Sequence, residues 1–311
     1  MDHAAKSMAW LVRILMGRDA VADEKTAAGP SLCILGVDVM ISSRGFKCKP
    51  SAKKIPGWLS LIEHSLRCGV LLPGVASKLA GKLSWAQCQM FNQVGRAMLR
   101  PIFDQATKRN GQVDANLRRA LEWWRAVLRK DIAELRLWDE PVTDAVHLFC
   151  DASGMPAHLG AVLIVDKVFL WTHAGPPSSM IEKFKRRADN QIMGLELLAI
   201  TLGLCSFREQ LSGRQVVIHC DNTGAEVAIS KGSARALDHA QLVHQQWLLA
   251  VSERLRIHVK RVSTSDNIAD LPSRRDTKLL EFIRAREVKP VFEEEFLDGA
   301  AWEVLNERWA M

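Results

Sequence analysis

One stretch constrains the rest of the chain: Val146 to Gly154, reading Val-His-Leu-Phe-Cys-Asp-Ala-Ser-Gly. An apolar run that ends in an acidic residue and then in Ser-Gly predicts a buried strand delivering a carboxylate to a sheet edge. Beyond it, strand and helix patterns alternate. Strands fit 145–150, 160–165 and 168–172, and a long helix fits 191–211. A fourth strand fits 215–220, helices fit 223–230 and 235–254, a fifth strand fits 256–262, and a last helix opens near Asp266. Three strands in meander, then helix–strand–helix–strand–helix, predict an α/β fold: a mixed five-stranded sheet flanked by helices.

The preceding part reads as mostly helical. Met8, Leu11, Val12, Leu15 and Met16 recur at helical spacing, and that segment closes at Ala-Gly-Pro near residue 30. Leu32–Ile41 predicts one strand, with Phe46–Lys49 as its hairpin partner. Leu79, Leu83 and Ala86 mark an amphipathic helix broken by Gly81. Residues 115–137 predict a longer helix, with Leu117, Leu121, Trp124, Leu128, Ile132 and Leu135 on one face. Its other face carries Arg118, Arg119, Arg125, Arg129 and Lys130, a solvated surface or a phosphate-contacting one. Glu140-Pro141-Val142-Thr143 breaks the pattern and predicts a boundary. The expected division is therefore 1–140, 144–275 and a helical, acidic tail over 276–311 that carries Trp302 and Trp309.

Charge supports a polyanionic partner. The net charge is +7, yet residues 290–311 hold six acidic groups against one Arg, which leaves +12 on residues 1–289. No apolar run approaches the roughly 18 residues that span a bilayer. The seven cysteines (33, 48, 68, 88, 150, 205, 220) form no CxxC pair, and no secretory leader pattern opens the chain. An intracellular protein, in cytoplasm or nucleus, with reduced thiols and no zinc site is the expectation.

Three further acidic residues stand in contexts that converge with Asp151: Glu196 in Gly-Leu-Glu-Leu-Leu-Ala, Asp221 in Ile-His-Cys-Asp-Asn, and Asp270 in Asp-Asn-Ile-Ala-Asp-Leu-Pro-Ser-Arg. Each alone has a plain reading: a turn for Asp151, an ordinary helix glutamate for Glu196, a turn or N-cap for Asp221, a helix start for Asp270. Together they suit a two-metal phosphoryl-transfer site, whose ions sit roughly 3.5–4 Å apart. A glutamate on the helix face that packs against a sheet is costly unless paired or metal-bound.

Four motifs in this order over residues 145–275 resemble the ribonuclease H domain of retroelement polyproteins of the gypsy-like, DIRS-like and caulimovirus-like branches. They are Phe-Cys-Asp-Ala-Ser, the Glu of Leu-Glu-Leu-Leu-Ala, Ile-His-Cys-Asp-Asn followed by Ser-Lys-Gly-Ser, and Asp-Asn-Ile-Ala-Asp-Leu-Pro-Ser-Arg. The resemblance implies that Asp151, Glu196, Asp221 and Asp270 bind two Mg²⁺, with Mn²⁺ as a substitute. Asp151 and Asp270 would hold the ion that activates water. Asp151, Glu196 and Asp221 would hold the one facing the leaving 3′ oxygen. The implied reaction is hydrolysis of the RNA strand of an RNA–DNA hybrid. Asn222 is the first candidate for contacting the hybrid, with Ser153, Lys231 and Ser233 behind it. The loop Ser263–Asn267 lacks the His that many relatives carry there, and His258 on the preceding strand reads as structural.

Residues 1–140 resemble, more loosely, the palm end, thumb and connection of a reverse transcriptase, a part that would hold template–primer. The chain has no Tyr and no adjacent Asp pair, so no polymerase activity is expected of it alone. A non-catalytic nucleic-acid-binding or interaction remnant is the rival reading. An integrase-type enzyme fits less well, because its last carboxylate would be Glu.

Overall fold

The computed structural model describes residues 2–22, 27, 29–90, 93–130, 135–138, 144–185 and 191–292. The boundary expected at 140–143, Ile132, and the tail helix with Trp302 and Trp309 lie outside them.

The first part is mostly helical, as expected, with a small antiparallel sheet. After α1 (Asp2–Met16) come β1 (Ser31–Ile34), β2 (Val37–Ile41) and β3 (Gly45–Pro50). The single strand expected over 32–41 is thus two. Leu35 and Gly36 both take positive φ, 50° and 79°, and fold the run into a tight hairpin with Ile34 opposite Val37. Four helices follow: α2 (Ile55–Cys68), α3 (Pro73–Met90), α4 (Arg96–Thr107) and α5 (Ala115–Arg129). Gly81 does not break α3; Leu79, Leu83 and Ala86 are fully buried, and their packing outweighs the roughly 1 kcal/mol that a helical glycine costs. Asp114 caps α5 by accepting from Leu117 N–H at 2.9 Å. The helix then ends at Arg129, short of 137, because Leu135–Leu137 form β4 and pair with β3.

The second part is the mixed α/β sheet. Strands β5 (Val146–Gly154), β6 (Ala157–Val165) and β7 (Val168–Ala174) form the antiparallel meander. Helices α6 (Ser178–Lys185), α7 (Ile192–Ser206) and α8 (Arg208–Leu211) lead to β8 (Gln215–Cys220), parallel to β5. Then come α9 (Thr223–Lys231), α10 (Leu237–Ser252) and β9 (Arg256–Arg261), parallel to β8. The chain continues through α11 (Asp270–Ser273), α12 (Lys278–Phe282) and β10 (Arg286–Glu287), which adds a sixth strand beside β7. The sheet order is β10-β7-β6-β5-β8-β9.

Helix α7 is buried from Gly194 through Cys205. A helix apolar all round belongs in a core, and it lies against β5 and β6. Its burial is what makes the one carboxylate it carries, Glu196, informative. The apolar core runs without a break from Trp58 in α2 to Leu255 after α10, so α2–α5 and the sheet layers share buried surface. Within it Trp123 of α5 meets His244 of α10 edge to face at 5.2 Å. On the other sheet face, Val162 and Trp171 pack under Ala269 and Leu280.

Candidate metal centre

The sheet delivers Asp151 and Asp221 to one edge because β5 and β8 are adjacent and parallel, with Phe149 opposite His219. Asp151 is buried and lies two residues along β5 from Phe149; Asp221 follows the last residue of β8 and is half-buried. Glu196 comes in from α7 at 3% exposure and accepts a hydrogen bond from Ala152 N–H. Its Oε2 is fully enclosed and finds no hydrogen-bond partner among the described residues. Ligand atoms of Glu196, Cys220 and Asp221 lie within 4.8 Å of one another.

Asp270 arrives differently. Gly160 sits opposite Asp151 in the β5–β6 register. A Cβ there would stand 2.5 Å from Ser273 N and 2.8 Å from Ala269 O, a clash with backbone. Glycine therefore lets α11 lie directly on β6. That contact brings Ser273 onto Asp151, to whose Oδ2 its hydroxyl donates, and sets Asp270 nearby. Asn267, buried, fixes the approach: its Nδ2 donates to Cys150 O at 3.0 Å and its Oδ1 accepts from Ala269 N–H at 3.3 Å.

The electrostatics report the crowding. Burial raises the Asp151 carboxyl above its ordinary value; the Ser273 hydroxyl works against that, and the charges of Asp221 and Asp270 add to it. Burial, then Asp151 and Asp221, push Glu196 up to about 9. The Cys220 thiol is pushed up to about 12 by burial and then by Glu196. Like charges gathered in a low-dielectric pocket favour neutral forms unless a cation joins them. An orphaned buried carboxylate oxygen beside other anionic donors is what a divalent ion would satisfy, so the donor set fits one.

The four acidic residues thus share one region, but not as a uniform cluster. Among the described residues, the compact ligand group is Glu196 with Cys220 and Asp221. Asp151 and Asp270 act on that region while each holds a protein partner. Asp270 Oδ1 accepts from Arg274 Nε at 2.6 Å, four residues on along the same turn. Asp221 Oδ2 accepts from Thr264 Oγ1 at 2.8 Å. Thr264 stands in the loop that lacks a histidine, and His258 is exposed on β9.

The remaining sequence candidates separate. Asn222 adjoins the site, but its Oδ1 accepts from Ala225 N–H at 3.0 Å and caps α9. The Ser153 hydroxyl points to Ser273 O at 2.9 Å, tying β5 to α11. Lys231 and Ser233 lie at the other end of α9, with Lys231 about 13.5 Å along the axis from Asn222 by the rise of nine residues. On α5, Arg129 pairs with Glu63 at 2.6 Å and Arg118 donates to Leu66 O at 3.4 Å, which favours the solvated reading of that face.

Sequence reasoning missed Cys220, Thr264, Asn267, Ser273 and Arg274. Arg274 had a signal, its i,i+4 spacing from Asp270. Thr264 and Ser273 meet partners 43 and 122 residues away, which no local pattern announces. Among the described residues, no helix is long and apolar enough to cross a membrane.

No protein-family model matches the chain, and comparison with curated proteins gives no match. Among solved structures, the chain is similar to the N-terminal RNase H domain of rv2228c from Mycobacterium tuberculosis, solved as a fusion with maltose-binding protein. The identity is 18% and the TM-score 0.33, over 46% of this chain and all of that one. It is also similar to a foamy viral protease–reverse transcriptase, dRH, in complex with double-stranded DNA, at 12% identity and TM-score 0.28. That match covers 75% of this chain and 38% of the other. Likenesses this loose carry no argument, and the functional reading stands on the side chains at the sheet edge.

Proposed function

We propose that the chain is a divalent-metal-dependent ribonuclease H that hydrolyses the RNA strand of RNA–DNA hybrids, as the C-terminal part of a retroelement reverse transcriptase. The observation that carries this reading is Glu196: a carboxylate 3% exposed, its Oε2 without a hydrogen-bond partner among the described residues, facing Asp221 with Asp151 close by. Asp151, Glu196, Asp221 and Asp270 would hold Mg²⁺ or Mn²⁺. When bound, such ions acidify a water and neutralise charge developing on the phosphate and the leaving oxygen.

The chain's own residues set the stage. Ser273 fixes one oxygen of Asp151, and Thr264 fixes one oxygen of Asp221. Arg274 holds Asp270 at the open side of the site, where Arg274 is 64% exposed, and offers a cation to an approaching phosphate. RNA displays its 2′-hydroxyls in a wide, shallow minor groove, so strand chemistry and duplex shape would be read rather than sequence. Residues 1–140 would serve as the thumb and connection that hold template–primer, with no polymerase activity of their own.

The test is incubation with hybrid labelled on either strand, with and without Mg²⁺, for the wild-type chain and Asp151→Asn. Cleavage of the RNA strand only, dependent on Mg²⁺ and lost in the variant, supports the proposal. No cleavage by the wild type refutes it. One observation favours a second reading, a non-catalytic nucleic-acid-binding remnant: Asp151 and Asp270 already hold protein partners. That reading predicts hybrid binding with no cleavage at any metal concentration.

A further inference from the structure

The compact ligand group at the sheet edge is not all oxygen. Cys220 is the last residue of β8, fully buried, and its Sγ lies within 4.8 Å of carboxylate oxygens of both Glu196 and Asp221. Its present interaction is weak, a contact of 3.7 Å to Asn222 O. Glu196 Oε2 is sealed among these groups with no hydrogen-bond partner among the described residues. Two ligands bound to one tetrahedral ion at about 2.0–2.3 Å stand about 3.3–3.8 Å apart. A closure of at most about 1.5 Å would therefore bring the three atoms onto a common cation. Asp221, the half-exposed member, marks the side from which an ion would enter.

We infer that Glu196, Cys220 and Asp221 form a site for a thiophilic divalent cation of the Zn²⁺, Cd²⁺ or Co²⁺ class, which excludes Mg²⁺ from the same carboxylates. The inference rests on reading this cluster as metal-binding, and adds a ligand and a metal class that the four carboxylates alone do not imply. Hard oxygen donors suit Mg²⁺, whereas a thiolate selects softer ions. On binding, the Cys220 S–H bond and the Glu196 carboxyl O–H bond break, S–metal and O–metal bonds form, and two protons leave to solvent. The charge of the ion inverts the local electrostatics and holds the sulfur as thiolate beside the two carboxylates. The consequence is inhibition: a soft ion held by three ligands occupies carboxylates that the nuclease reaction needs for Mg²⁺.

The test is titration of the full chain with Co²⁺ or Cd²⁺, free of chelators and Mg²⁺, followed by thiolate-to-metal charge-transfer absorption in the near ultraviolet. The exposed thiols Cys33, Cys68 and Cys88 contribute equally to every variant, so the difference between wild type and Cys220→Ser isolates Cys220. A one-equivalent difference band supports the site. Glu196→Gln should abolish the same band, and serves if Cys220→Ser fails to fold. The loss of Cys220 should weaken Cd²⁺ binding by at least the roughly 10–100-fold that losing an outer-shell partner costs. Identical spectra and affinities for wild type and Cys220→Ser overturn the inference. If Mg²⁺-dependent cleavage is present in that case, only the thiolate assignment falls. If neither Mg²⁺ nor the soft ions bind, the metal-centre reading falls with it.

Discussion

Glu196→Gln should make the metal-free protein more stable while removing its cation site. Glu196 is 3% exposed, and burial with two neighbouring carboxylates raises its carboxyl from the ordinary 4.5 to about 9. The folded chain therefore keeps this proton up to about pH 9, whereas the unfolded chain releases it above 4.5. A group raised in this way supports folding fully below pH 4.5, and that support is lost as pH rises toward 9. Each pKa unit is worth about 1.4 kcal/mol, so the interval from 4.5 to pH 7 amounts to about 3 kcal/mol as an upper bound. Gln is neutral throughout and can still accept the Ala152 N–H bond. Urea unfolding of both proteins should show no difference at pH 4.5, and at pH 7 an advantage for Glu196→Gln of about 1–3 kcal/mol after solvent relaxation. Saturating Mg²⁺ should reverse the order, because it stabilises only the form that binds it. A variant less stable than wild type at pH 7 without metal would refute the reasoning.

Three further outcomes follow from particular contacts. Gly160→Ala should destabilise the fold by about 1–3 kcal/mol, since the new Cβ meets the α11 backbone; denaturant unfolding reads this, and hybrid cleavage should fall with it as Asp270 and Ser273 are displaced. His244 is fully buried, and burial depresses its pKa to about 3 from 6.5; neither ring nitrogen finds a hydrogen-bond partner among the described residues. A depressed histidine contributes stability above pH 6.5 that drains as pH falls toward 3, at up to about 1.4 kcal/mol per pH unit, so His244→Leu should flatten the acid limb of a stability–pH profile. Asn267→Ala removes a buried bond to Cys150 O and should cost about 1–3 kcal/mol, measured by thermal unfolding with cleavage followed in parallel.

The sheet was readable because its signals are local and repeated. Apolar runs of strand length at 146–165 and 215–220, with helix periodicity between, leave little freedom once one face must be buried. Errors fell where tertiary pairing overrode a local pattern. Leu135 has the spacing of a helix residue, yet β3 offers it a sheet edge. Leu35 is an apolar residue at φ 50°, a conformation that apolar side chains do not advertise. Strand β10 is two residues long and exists only because β7 presents an open edge. At the site, Asp151 and Asp221 announced themselves as charges at the ends of apolar runs, Glu196 as the one charge inside an apolar helix, and Asp270 as a carboxylate at a helix start. Cys220 did not, because a cysteine closing a buried strand reads as a small core residue until Glu196 is seen beside it.

The claim beneath all of this is that acidic side chains from β5, α7, the end of β8 and α11 serve one cation site. The direct measurement is Mn²⁺ titration of the metal-free chain, with unbound ion followed by electron paramagnetic resonance. Wild type should take up Mn²⁺ and release it to excess Mg²⁺, while Asp151→Asn and Glu196→Gln bind it far more weakly. Equal Mn²⁺ uptake by wild type and both variants would contradict the claim.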